Sequence, residues 1–134
     1  MAKDNVTRRD FVKKSSMGGV ALALLPSLKF LRPDEKLRTA HIGVGNMGMA
    51  DLQAISSHPS VEVTALCDVD AINLSKAHKM FPGARIYFDY RAMLDEMADE
   101  IDAVVVSTPD HTHAPASLTA MKMGKPVYCQ KPLT

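Results

Sequence analysis

A chain of 134 residues, 46% hydrophobic and 23% charged with a formal net charge of +1, has the make-up of one globular domain. Near-neutral charge and 5% aromatic residues give neither a basic footprint nor a stacking surface, which sets nucleic acid aside as a partner. Two cysteines, Cys67 and Cys129, do not make a disulfide framework.

Residues 1–36 read as a segment outside the fold. Thr7-Arg8-Arg9-Asp10-Phe11-Val12-Lys13 resembles the twin-arginine export signal, with Val12 where Leu is usual. An apolar run from Met17 to Leu25, broken at Pro26, has the length of a signal core. It is shorter than the roughly 20 apolar residues of a membrane span. No cysteine closely follows it to carry lipid, so no stable membrane anchor is expected. The reading is export by the twin-arginine translocation machinery to the periplasm or the extracellular space of a bacterium, with a basic tail as the alternative.

Residues 37–134 alternate strand and helix patterns, as in a parallel sheet of βαβ units. Thr39 to Val44 is the first predicted strand, with His41 read as a structural histidine inside it. It runs into Gly43-Val44-Gly45-Asn46-Met47-Gly48, a G-x-G-x-x-G turn. The first glycine makes the strand-to-helix turn, the second admits a pyrophosphate against the backbone, and the third lets the helix pack close. A diphosphate then rests on free N–H groups at the positive end of the helix. Gly48, Leu52 and Ile55 form that helix's inner face.

Val61 to Cys67 is a β-branched second strand ending at Asp68, twenty residues beyond Gly48. A carboxylate there accepts hydrogen bonds from an adenosine ribose and repels a 2′-phosphate, so NAD is expected over NADP. Asp70 can cap a second helix with the stripe Leu74, Ala77 and Phe81. Ile86 and Phe88 alternate with Arg85 and Tyr87, as on an exposed edge strand. Asp89 can cap a short helix through Met97. Ile101 to Val106 is a continuous apolar run, hence a central strand buried on both faces. Ala114, Leu118 and Met121 are predicted to line the next helix, with Pro115 in its first turn and Gly124 as its stop. Val127 to Cys129 begins a fifth strand.

The expected fold is α/β, a doubly wound parallel Rossmann sheet in the order 3-2-1-4-5. In that order Cys67 and Cys129 lie on the order of 14 Å apart, too far for a disulfide, and both read as buried thiols. The loop Ser107-Thr108-Pro109-Asp110-His111-Thr112-His113 follows the fourth strand, at the switch point beside the first. Gln130-Lys131-Pro132 follows the fifth strand on the same rim. Asp110-His111-x-His113 has a metal-like spacing, but no further His or Cys joins it in sequence, so no metal is expected.

These motifs together resemble the N-terminal domain of the Gfo/Idh/MocA family from Leu37 to Thr134. The most specific part is Ile101-Asp102-Ala103-Val104-Val105-Val106-Ser107-Thr108-Pro109, then His113, then Gly124-Lys125-Pro126-Val127-Tyr128-Cys129-Gln130-Lys131-Pro132. The resemblance implies that Thr108, Pro109 and His113 contact NAD and that Lys131 is the catalytic lysine beside the nicotinamide. Gln130 stands where the family usually has Glu; an amide still hydrogen-bonds a ribose but removes a negative charge beside Lys131. The family's second, α+β domain, which carries the substrate pocket, is expected beyond the 134 residues. The implied chemistry is hydride transfer between NAD and a sugar or polyol. A redox-assisted glycoside hydrolase and a cofactor-binding module without activity of its own are the alternatives. The oligomeric state is left open, a homo-oligomer of the full-length protein being one outcome.

Overall fold

Five strands form one all-parallel sheet: β1 (Leu37–Ile42), β2 (Val61–Cys67), β3 (Arg85–Tyr87), β4 (Ala103–Val106) and β5 (Val127–Cys129). The computed structural model describes residues 35–133, so the export-signal reading falls outside the described residues but for Glu35 and Lys36. The order is β3-β2-β1-β4-β5, as the alternating pattern predicts. Helices α1 (Met47–Ser56), α2 (Ala71–Met80), α3 (Tyr90–Glu96) and α4 (Asp110–Lys122) make the crossovers. None of the described helices is long and apolar enough to cross a membrane.

Period-two alternation divides the core between the two faces. Val44, Leu52, Leu66, Leu74 and Ala77 pack together where α1 and α2 cover the sheet. Ala40, Ile42, Cys67, Met93, Leu94, Val104, Val106, Ala116 and Ala120 pack under α3 and α4. Each fully buried leucine contributes about 2–3 kcal/mol relative to exposure. The β1–β2 register shifts between Thr39 and Ala40, and the Thr64 hydroxyl donates to the Thr39 carbonyl there. Arg38 clamps the start of β4: its Nε and Nη2 donate to the two Asp102 oxygens at 3.0 and 2.9 Å. That guanidinium holds the Asp102 carboxyl below its usual range.

The structure corrects several sequence expectations. β1 begins two residues early and ends at Ile42, because Gly43 turns the chain at φ 85°. On β3 the alternation is inverted: Tyr87 packs toward the core, while Ile86 and Phe88 are exposed. The inner face of α4 is His113, Ala116 and Ala120; Leu118 and Met121 are both 51% exposed. Small residues win that face because they let the helix backbone lie close on the sheet. Pro115 falls in the second turn of α4, since the helix begins at Asp110. Gly124, at φ 75°, ends it as expected. Cys67 is buried and Cys129 only partly so, both free thiols on strands three positions apart.

Candidate functional site

β1 and β4 are sheet neighbours whose crossovers lead in opposite directions, so the loops at their C-terminal ends diverge and leave a crevice. A cleft of about 580 Å³ opens there. Gly43, Gly45, Asn46, Met47 and Asp68 line one side, and Ser107, Thr108 and Pro109 line the other. Residues predicted from separate motifs thus meet in one place.

The glycine turn is built against the opposite rim. A Cβ on Gly43 would lie 2.6 Å from the Ser107 carbonyl oxygen, and one on Gly48 would lie 2.2 Å from the Gly43 oxygen. Both contacts are with backbone, so neither position can carry a side chain without moving the turn. Gly48 is accordingly buried under the cleft rather than in its wall. At Gly45 a Cβ would meet only the Asn73 side-chain amide, at 2.4 Å. Asn46 takes a positive φ of 43° and offers α1 no side-chain cap. Asp70 and Asp89, by contrast, cap α2 and α3. The first-turn N–H groups of α1 are therefore left without a side-chain acceptor where the helix meets the cleft, as an anion site requires.

Asp68 is anchored as well as placed. Its Oδ2 accepts the Val44 N–H at 2.9 Å and its Oδ1 accepts the Asp70 N–H at 2.8 Å. Asn73, Phe88 and Tyr90 line the cleft beside it. Burial, helped by the Asp68 charge, pushes the adjoining Cys67 thiol up to about 12, so it stays protonated and inert.

The far rim is held from behind. The Ser107 hydroxyl donates to Asp51 Oδ2 at 2.6 Å, and Gln130 Nε2 lies 2.9 Å from both Asp51 oxygens. The Lys131 N–H donates to Gln130 Oε1 at 3.2 Å. His113 is 1% exposed, with its ring nitrogens 2.7 Å from the carbonyl oxygens of Pro132 and Thr108. It braces the loops after β4 and β5 against each other and does not line the cleft. Lys131 is exposed and stands outside the cleft lining. His41 is buried, paired through Nε2 with Thr39 Oγ1 at 3.2 Å, and burial lowers it to about 4. No three His, Cys, Asp or Glu side chains among the described residues are grouped to hold a metal ion.

Comparison with known proteins decides the family. A profile described as "Oxidoreductase family, NAD-binding Rossmann fold" matches residues 37–134. The chain belongs to the Gfo/Idh/MocA family. A "Glycosyl hydrolase family 109 protein" of Stenotrophomonas maltophilia is 32% identical over 134 residues, covering 92% of this chain and 29% of that protein. An "Inositol 2-dehydrogenase" of Rhodococcus erythropolis is 35% identical over 103 residues, 75% of this chain and 29% of that protein. Among solved structures, the WlbA dehydrogenase of Chromobacterium violaceum, in complex with NADH and UDP-GlcNAcA, superposes with a TM-score of 0.70. Its sequence is 28% identical, over 78% of this chain and 30% of that one. The chain thus spans under a third of the length of these relatives.

This Gfo/Idh/MocA domain is an NAD-binding Rossmann fold, and its cleft suits the cofactor. The uncapped α1 terminus and the bare Gly45 backbone leave room for an anionic group, and Asp68 presents a carboxylate to the same cleft. Two contributors went unseen in the sequence. Asn73 lies on the inner face of α2 with its amide over Gly45, and only its position three residues past the Asp70 cap hints at this. Asp51 had no local signal at all, because its partners are 56 and 79 residues away.

Proposed function

We propose that the protein is an NAD-dependent oxidoreductase acting on a sugar or polyol. The observation that carries this reading is the single cleft at the ends of β1, β2 and β4, with the glycine turn and Asp68 on one side and Ser107-Thr108-Pro109 on the other. The inositol 2-dehydrogenase relative and the structural neighbour holding UDP-GlcNAcA support the substrate class. NAD bound in the cleft supplies the hydride acceptor or donor. The Gly45–Met47 backbone would hold its diphosphate, Asp68 its ribose hydroxyls, and Thr108 and Pro109 the opposite rim. The Lys131 ammonium would orient the substrate hydroxyl and stabilise negative charge developing on its oxygen. The rest of the substrate pocket would come from the α+β domain that the family resemblance implies.

One observation favours a second reading. The alignment with the glycosyl hydrolase family 109 protein covers more of the chain than residues 37–134 contain, so it reaches into the leader. That supports a redox-assisted glycoside hydrolase; export by the twin-arginine route, to the periplasm or beyond, rests on the Thr7–Lys13 motif and the apolar run after it. Net NADH formation from a free sugar by the full-length protein would support the dehydrogenase. Nitrophenol release from a nitrophenyl glycoside, without net NADH, would favour the hydrolase. Substituting Lys for both Arg8 and Arg9 should keep the protein in the cytoplasm; unchanged export would sink the leader reading.

A further inference from the structure

We infer that Asp51 is a positioning residue for the cofactor rim, acting through Gln130 and Ser107 on the segment that carries Lys131. The inference rests on the cofactor-binding cleft described above. Asp51 sits one turn into α1, three residues past Gly48, and its carboxylate joins the glycine-turn helix to both opposing loops. Its Oδ2 accepts the Ser107 hydroxyl, which fixes the first residue of the rim after β4. Both of its oxygens face Gln130 Nε2 at 2.9 Å. The other end of the same amide, Oε1, accepts the Lys131 N–H, so the position of the Lys131 backbone is referred to α1 through one side chain. The Gln130 N–H also donates to the Val106 carbonyl at 2.9 Å, so the backbone and side chain of Gln130 are held together.

The polarity of this cluster suits a carboxylate. Ser107 and Gln130 both present donors, and a carboxylate is the acceptor that serves both at once. Asp51→Leu removes both acceptors. Gln130→Glu sets two carboxylates face to face. The pair Asp51→Asn with Gln130→Glu rebuilds the network with the roles exchanged: the new amide donates to the new carboxylate while its oxygen still accepts from Ser107.

The test is cofactor affinity in the full-length protein, with NADH read by its fluorescence and ADP as the probe for the half-site that needs only the glycine turn and Asp68. Each single variant should bind NADH about tenfold more weakly. ADP affinity should stay within about twofold, because loss of charge-assisted contacts at the far rim leaves the turn intact. The double variant should return NADH affinity to within about threefold of the original. Single variants that bind NADH normally, or a double variant that recovers nothing, would overturn the inference. A parallel loss of ADP would overturn it too, by making Asp51 a general support of the fold. A native protein that binds neither nucleotide would overturn the cofactor reading itself, and this inference with it.

Discussion

The Asp68 carboxylate accepts the Val44 N–H at 2.9 Å, so the residue that faces the cleft also closes the glycine turn beside it. Val44 is fully buried, and its N–H would have no other acceptor within the turn. In the proposed binding mode one side chain would therefore both read the ribose and hold the loop against the diphosphate.

This dual role sharpens the cofactor test. NAD should be preferred to NADP by at least about 30-fold, because a 2′-phosphate would meet the Asp68 charge. Asp68→Ala should relax the preference but also cost about 1–3 kcal/mol of stability, by leaving the Val44 N–H unpaired. Val69 is 88% exposed, so Asp68→Ser combined with Val69→Arg should favour NADP. Equal dissociation constants for the two cofactors in the unaltered protein would remove Asp68 from the site.

Gly45 and Gly48 should separate by what an added side chain would strike. Gly45→Ala meets only the movable Asn73 amide, so melting should shift by no more than about 5 °C while NAD binding is lost. Gly48→Ala drives a methyl into the Gly43 carbonyl oxygen and should cost about 3 kcal/mol or more. Calorimetry showing normal NAD binding by Gly45→Ala would move the phosphate site elsewhere.

His41 predicts an acid limb. The ring takes a proton near pH 6.5 when unfolded but only near 4 in the fold, where burial opposes the charge. Between those values the unfolded chain binds more protons, so stability is full above pH 6.5 and is lost as pH falls toward 4. The loss should reach about 2 kcal/mol at pH 5 and about 3 by pH 4. Urea titrations across this range should show the slope, and His41→Gln should flatten it.

Most of the fold was legible because strand composition and turn residues agree with the topology. The Val61–Cys67 strand, the Asp70 and Asp89 caps and the Gly124 stop fall where local chemistry puts them. The site was half legible. Gly43, Gly45 and Asp68 belong to a motif with a fixed geometry, whereas Asp51 acquires its meaning only from Ser107 and Gln130, brought to it by the sheet order. The inner face of α4 is hidden in the sequence for a related reason. Leu118 and Met121 are the more apolar residues, but close approach to the sheet selects Ala116 and Ala120.

The orientation of α4 can be checked directly. Leu118→Lys and Met121→Lys should each change the stability of the 134-residue chain by less than about 0.5 kcal/mol. Ala116→Leu should cost about 1–3 kcal/mol by overfilling the contact with the sheet. If the two lysine variants unfold the chain while Ala116→Leu is silent, the helix is rotated from the position described.

The clamp between Arg38 and Asp102 and the seat of Gly43 on Ser107 also set a timetable for synthesis. The clamp spans 64 residues, and the glycine turn has no floor until β4 is in place beside β1. A growing polypeptide therefore carries the whole phosphate motif long before it can grip a nucleotide. Ribosome-bound chains arrested before Ile101 should not retain NAD, and chains released well past β5 should; capture by the earlier set would mean the turn can form alone. Ligand binding in this domain then waits on β4, and is available as a signal that the sheet has closed.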